Sequence, residues 1–105
     1  MSLPDPEAMY FAVIEASPQI GTEAFQKYDG AHISCWIKPP DLKIGRARAT
    51  SFVEQHGWFV KGVKEEKIIT ASHYESTNEG LRYFNQALTD EEVCVVHTFP
   101  LQSRR

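Results

Sequence analysis

Four histidines and two cysteines carry most of the chemistry this 105-residue chain can offer near neutral pH, because imidazole and thiol are the side chains whose protonation changes nearest to it. Four of them fall in two short patterns, His32-x-x-Cys35 and Cys94-x-x-His97. Both patterns lie in strand-like runs, where an offset of three sends two side chains to opposite faces. Neither can therefore chelate a metal alone. A mixed site with one ligand from each run requires the runs to be neighbours. Structural zinc commonly takes four ligands, a large share of the few His and Cys present, so no metal is assigned. Cys35 and Cys94 read as two reduced core thiols, since unpaired cysteine in an apolar run behaves as a small hydrophobe. A disulfide between them stays open should the two strands be adjacent.

His97 is the strongest single candidate for function. It sits at the end of an apolar run, before Thr98, Phe99 and Pro100, where a neutral imidazole could carry one proton. His32 and Tyr83 are the residues expected to assist it, and Trp58 is an expected wall of a mostly apolar ligand pocket. The structural reading of the same ring is a buried imidazole bonded to a backbone carbonyl or to Tyr83. Other chemistry is missing. There is no Gly-x-Ser-x-Gly elbow and no glycine-rich phosphate loop or dinucleotide fingerprint. The acidic clusters Glu65-Glu66 and Asp90-Glu91-Glu92 read as solvated turns. No cofactor is assigned.

Eleven Lys and Arg against fourteen Asp and Glu leave a formal charge of −3. The one adjacent basic pair is Arg104-Arg105. Nucleic acid is excluded as a partner on this balance, because affinity for a phosphate backbone needs Lys and Arg gathered on one surface. The longest apolar run, residues 8–14, is far below the roughly 18 residues of a membrane span. The first residues are acidic and broken by Pro4 and Pro6, unlike a secretory signal, so a cytoplasmic protein is expected.

These residues must be positioned by a small set of elements. Hydrophobic residues at 42% and charged residues at 24% are ordinary for a globular domain,. Residues 9–100 read as one domain between flexible ends at 1–8 and 101–105. Residues 9–15 are β-branched and aromatic and close on Ser17-Pro18, predicting a strand kept near an edge by its prolines. A long loop with a short helix over 22–28 follows. Residues 31–38 alternate, with Ala31, Ile33, Cys35 and Ile37 on the core face and His32, Ser34, Trp36 and Lys38 on the other. On an uncovered sheet face Trp36 would be exposed, which makes Trp36 and Lys38 the interface candidates. Asp41 is placed to cap a helix that Gly57 ends. Residues 58–64 and 67–74 read as a hairpin turning at Glu65-Glu66, or as one bent strand with its bend at Gly62. Ser76 and Glu79 form a capping box for a second helix with Leu81, Phe84, Ala87 and Leu88 on one stripe. Residues 93–99 are apolar on both faces, as in a strand inside a sheet or at a subunit contact.

The order βαββαβ over residues 31–99, with one further strand in front, predicts a two-layer α+β sandwich of ferredoxin-like type. The segments Gly80-Leu-Arg-Tyr-Phe-Asn-Gln-Ala-Leu88 and Val93-Cys-Val-Val-His-Thr-Phe-Pro100 resemble a group of small bacterial proteins of unassigned function. These close with a Tyr-aromatic-x-Gln-Ala-Leu helix and a strand ending His-Thr-aromatic-Pro. Cys35-Trp36 and His56-Gly57-Trp58 share the likeness. In this chain Glu91 stands where that resemblance implies a glycine. The resemblance transfers no activity. The expectation is a small binding or association domain without catalysis of its own, forming a homodimer through the open face of the sheet or an edge strand. The alternative is a small-molecule enzyme whose pocket between sheet and helices uses His97 as proton carrier.

Overall fold

The computed structural model describes residues 8–74 and 78–101. The chain runs β1 (Ala8–Pro18), α1 (Glu23–Lys27), β2 (Tyr28–Ile37), α2 (Leu42–Gln55), β3 (Trp58–Thr70), a 3₁₀ turn (Ala71–His73), α3 (Glu79–Asp90) and β4 (Glu92–Pro100). Its four strands form one antiparallel sheet in the order β3-β1-β2-β4.

The α+β class agrees with the sequence, but the ferredoxin-like arrangement is corrected. It requires four strands within residues 31–99, and that span holds three, because 58–70 is one strand. Glu65-Glu66 supplies neither the glycine nor the asparagine of a tight hairpin turn. β3 instead continues beside the whole of β1, and its register slips by one residue at two places, passing over Lys64 and Lys61. The strand stops at Thr70, and residues 71–73 turn instead of extending to Tyr74.

β1 is also corrected: it is central, with β2 on one side and β3 on the other. Pro18 is its last residue, opposite Trp58. No proline interrupts residues 8–17, so both ladders form along the strand. Ala8 already belongs to β1, and Leu101 donates its backbone N–H to the Lys27 carbonyl at 3.2 Å. The rest of the expected flexible ends lies outside the described residues.

Alternation along β1 divides the interior into two cores. Tyr10, Ala12, Ile14 and Ala16 join Ile33, Cys35 and Ile37 of β2, Trp58 of β3, and Ala49 and Val53 of α2. Met9 and Phe11 point the other way, to Trp36, Ile69, Val93 and the α3 residues Phe84 and Ala87. α2 and α3 therefore lie on opposite faces of the sheet. Each fully buried large side chain contributes about 1.5–3 kcal/mol.

The helix ends follow local chemistry. Asp41 Oδ1 accepts the Ile44 N–H at 2.8 Å, and Gly57 (φ 90°) takes the left-handed conformation that ends α2,. Within α2, Gly45 packs against the Tyr10 ring, and a Cβ there would overlap ring carbon. Asn78 caps α3, its side-chain oxygen accepting from the Gly80 N–H at 2.6 Å. The expected cap, Ser76, lies outside the described residues. α3 ends on Glu91, which is left-handed at φ 71°.

Candidate functional site

Among the described residues β4 is one of the two edges of the sheet, paired with β2 alone. An edge strand leaves a row of backbone N–H and C=O groups without a ladder partner, and proteins usually blunt such rows with charge, proline or bulges. Between Glu92 and Pro100 the strand reads Val-Cys-Val-Val-His-Thr-Phe. It carries neither Lys, Arg, Asp, Glu nor Pro inside, and its register with β2 is regular from Ala31–Thr98 to Ile37–Glu92. Val96 and Phe99 are each 39% exposed.

The two faces of β4 sort the residues singled out in the sequence. Cys35 faces Cys94 across β2 and β4, and His32 faces His97. Directly opposed residues share a face, so both thiols lie on the α2 side and both imidazoles on the α3 side. A mixed Cys and His site across these strands is thereby ruled out by geometry. Among the described residues no three His, Cys, Asp or Glu side chains gather as a metal centre requires.

His97 and His32 come together in a row that continues to Glu15 of β1. The Phe99 ring meets the His32 ring edge-on, with centroids 4.9 Å apart. His97 is exposed and His32 half-buried, on the part of the face beyond α3. Tyr83 does not join them. It lies against Trp36, four residues or about 13 Å along β2 from His32, with ring centroids 5.1 Å apart. Its hydroxyl donates to Glu79 Oε1 at 2.9 Å. Trp58 is on the opposite face, buried in the α2 core. The four ligand-pocket candidates are thus not brought to one cavity.

Trp36 is buried, at 5% exposure, because α3 covers the half of the sheet that holds it. Its indole donates to the Tyr74 hydroxyl at 2.9 Å. Burial pushes the Tyr74 phenol above its ordinary value, so it stays a neutral hydroxyl there. Lys38 is half-buried at the end of β2, where its backbone N–H donates to the Glu91 carbonyl at 2.9 Å. With Pro39, Pro40, Ala8 and Glu91 it lines a shallow cavity of about 410 Å³.

Sequence reasoning missed two groupings on the α2 side. Arg46 clamps Glu66 with two hydrogen bonds, one of them from Nε to Oε2 at 2.8 Å. Tyr10, buried beneath, donates its hydroxyl to the same Oε2 at 2.7 Å. Burial and the neighbouring carboxylate hold the Tyr10 phenol well above its ordinary value. The Arg46 guanidinium holds Glu66 below the usual carboxylate range. Glu66 is therefore a fixed anion joining α2 to β3. The second grouping is a cavity of about 530 Å³ between α2 and β4, lined by Arg48, Ser51, Phe52, His56 and Glu92 among others. His56 Nδ1 donates to the Phe52 carbonyl at 2.8 Å, since that oxygen can only accept, and its ring stacks on Phe52 at 3.9 Å. The Phe52-x-x-x-His56 spacing was the visible signal, as side chains four apart meet on a helix.

No helix among the described residues is long and apolar enough to cross a membrane. Comparison with family models, with curated proteins and with solved structures gave no match.

Proposed function

We propose that this chain is an association domain without catalysis of its own, and that β4 is its joining element, pairing antiparallel with β4 of a second copy. The observation that carries this reading is the undefended β4 edge: free of Lys, Arg, Asp and Glu between Glu92 and Pro100, regular in register from Glu92 to Thr98, and unpaired on one side among the described residues,. Charge favours the antiparallel direction. Asp90, Glu91 and Glu92 cluster at the start of the strand. Parallel pairing would bring these carboxylates together across the seam, and antiparallel pairing sets them at opposite ends. A cytoplasmic setting belongs to the same reading, because free thiols are kept reduced there.

Val96 is the middle residue of β4, so self-pairing centred on the strand sets its two copies near one another. Sedimentation equilibrium at tens of micromolar should show a dimer for the native chain and a monomer for Val96→Lys, which opposes like charges at the centre. Val63→Lys, on the other edge, should remain dimeric. A native chain that sediments only as a monomer at that concentration overturns the proposal.

A further inference from the structure

We infer that Cys35 and Cys94 form a reversible thiol–disulfide site, oxidised within one chain by a small-molecule disulfide. The two are direct partners across the β2–β4 ladder and both are free thiols. They share the α2 face, with Cys94 packed against the core that contains Cys35. Opposed residues of an antiparallel pair have Cβ atoms about 4.5–5.5 Å apart, whereas a disulfide brings them to roughly 3.8 Å. Closure therefore draws the strands together by about 1 Å. β2 is held on both sides, but β4 has one ladder neighbour and can make that movement. A bond made by pulling an edge strand inward is strained, and strained disulfides are the more readily reduced ones. The site is thus a reversible couple rather than a permanent staple.

Burial assigns the order of events. Cys35 is fully buried and Cys94 is half-buried, so Cys94 meets the oxidant first. The Cys94 thiolate attacks one sulfur of glutathione disulfide. A bond forms between Cys94 Sγ and that sulfur, the glutathione S–S bond breaks, and one glutathione thiolate leaves and takes up a proton. Cys35 then loses its proton and attacks Cys94 Sγ. The intrachain bond forms as the second glutathione thiolate departs. Two protein thiols are oxidised, and one glutathione disulfide is reduced to two glutathione molecules. The neighbouring Cys35 and burial hold the Cys94 thiol far above its ordinary value. Reaction is therefore slow at neutral pH and should speed up about tenfold per pH unit, with the thiolate fraction.

The inference rests on the direct pairing of Cys35 with Cys94 in the β2–β4 register, and the closing movement on β4 having one ladder neighbour within its own chain. The test is incubation of the full, folded chain with glutathione disulfide, followed by acid quench, alkylation and mass spectrometry. The native chain should lose about two mass units, refuse the alkylating agent and stay a single chain on a non-reducing gel. Excess reduced glutathione should restore both thiols. Cys35→Ala, checked for an unchanged circular dichroism spectrum, should stop as a stable glutathione adduct on Cys94. Should the native chain remain fully alkylatable, keep its glutathione adduct or form an interchain bond, the inference is overturned. Recovery only by a strong dithiol, and not by glutathione, overturns its reversibility. The native-chain measurements decide the matter even if the variant does not fold.

Discussion

The two edges of this sheet manage the same physical problem in opposite ways. β3 carries Lys61, Lys64, Glu65, Glu66 and Lys67, slips register twice against β1, and is joined to α2 by the Arg46–Glu66–Tyr10 cluster. β4 has no Lys, Arg, Asp or Glu between Glu92 and Pro100, keeps regular register from Glu92 to Thr98 with one irregularity at its Phe99–Pro100 end, and is held by apolar packing of Val93 and Val95 beneath α3. One edge is defended by charge and irregularity, the other is ready to accept a strand. An all-antiparallel sheet with a helix on each face has no other free ladder, so association through backbone pairing has to choose between these two. On the proposed reading their chemistry makes β4 the joining edge.

The largest test of this contrast removes the support of β4. Phe84 is the fully buried anchor of α3, packed in the core that contains Trp36 and Val93. Phe84→Ala should cost about 3–5 kcal/mol in a denaturant melt, the usual loss for emptying a buried aromatic site. Hydrogen exchange should show β4 amides losing protection before those of β3. Equal loss on both edges would mean that α3 supports the whole sheet and not β4 in particular.

A smaller effect is expected at the polar clamp of the other edge. Glu66→Ala leaves the buried Tyr10 hydroxyl without its acceptor and should cost about 1–3 kcal/mol. The sign of the pH dependence follows from Arg46, which holds the folded-state carboxyl below its usual range. The stabilisation is therefore present above the unfolded value of about 4.3 and is lost as pH falls through the lower folded value. Melts from neutral to acid pH should find the gap between the native chain and Glu66→Ala narrowing below about pH 4. A gap that stays constant would show the cost to be packing, with no share for the ion pair.

How much of this contrast could be read in advance depended on the range of the interaction. The alternation of residues 31–37, the Asp41 cap, the Gly57 stop and the apolar run after Glu92 are local patterns, and each appears where its chemistry predicts. Sheet order is set by pairing between distant segments. That is why β1 was expected near an edge, and why residues 58–64 and 67–74 read as a hairpin or as one bent strand, the second of which forms over Trp58–Thr70. Trp36 shows the same limit: period-two alternation gave its face, but whether a helix covers that face depended on the path of α3, which begins only at Glu79. Glu66 looked like a solvated turn because its partners, Arg46 and Tyr10, are 20 and 56 positions away. Gly45 is another such case, since glycine weakens a helix interior and only the distant Tyr10 ring packed against it gives the reason for it. His32, Tyr83 and Trp58 were grouped with His97 by residue type, and type carries no distance: the β2–β4 register brings only His32 beside it.

The smallest effect concerns the way the chain enters each edge. Both β3 and β4 are preceded by a helix that ends on a left-handed residue, Gly57 at φ 90° before Trp58 and Glu91 at φ 71° before Glu92. Glycine adopts that conformation without penalty, whereas a residue with a Cβ is disfavoured there by about 1–2 kcal/mol. Glu91 is exposed, and its bond to β2 runs through its backbone carbonyl, which accepts from Lys38 N–H. Nothing in that contact needs the side chain. Glu91→Gly should therefore stabilise by roughly 0.5–1 kcal/mol, once the larger entropy of the unfolded glycine chain is subtracted. Gly57→Ala should lose about 1 kcal/mol, since the added Cβ meets only Thr22 at 3.4 Å and the cost is in the backbone. Thermal melts of the two variants should move in opposite directions. A destabilised Glu91→Gly would show that the carboxylate itself, beside the start of the undefended edge, holds β4 in place.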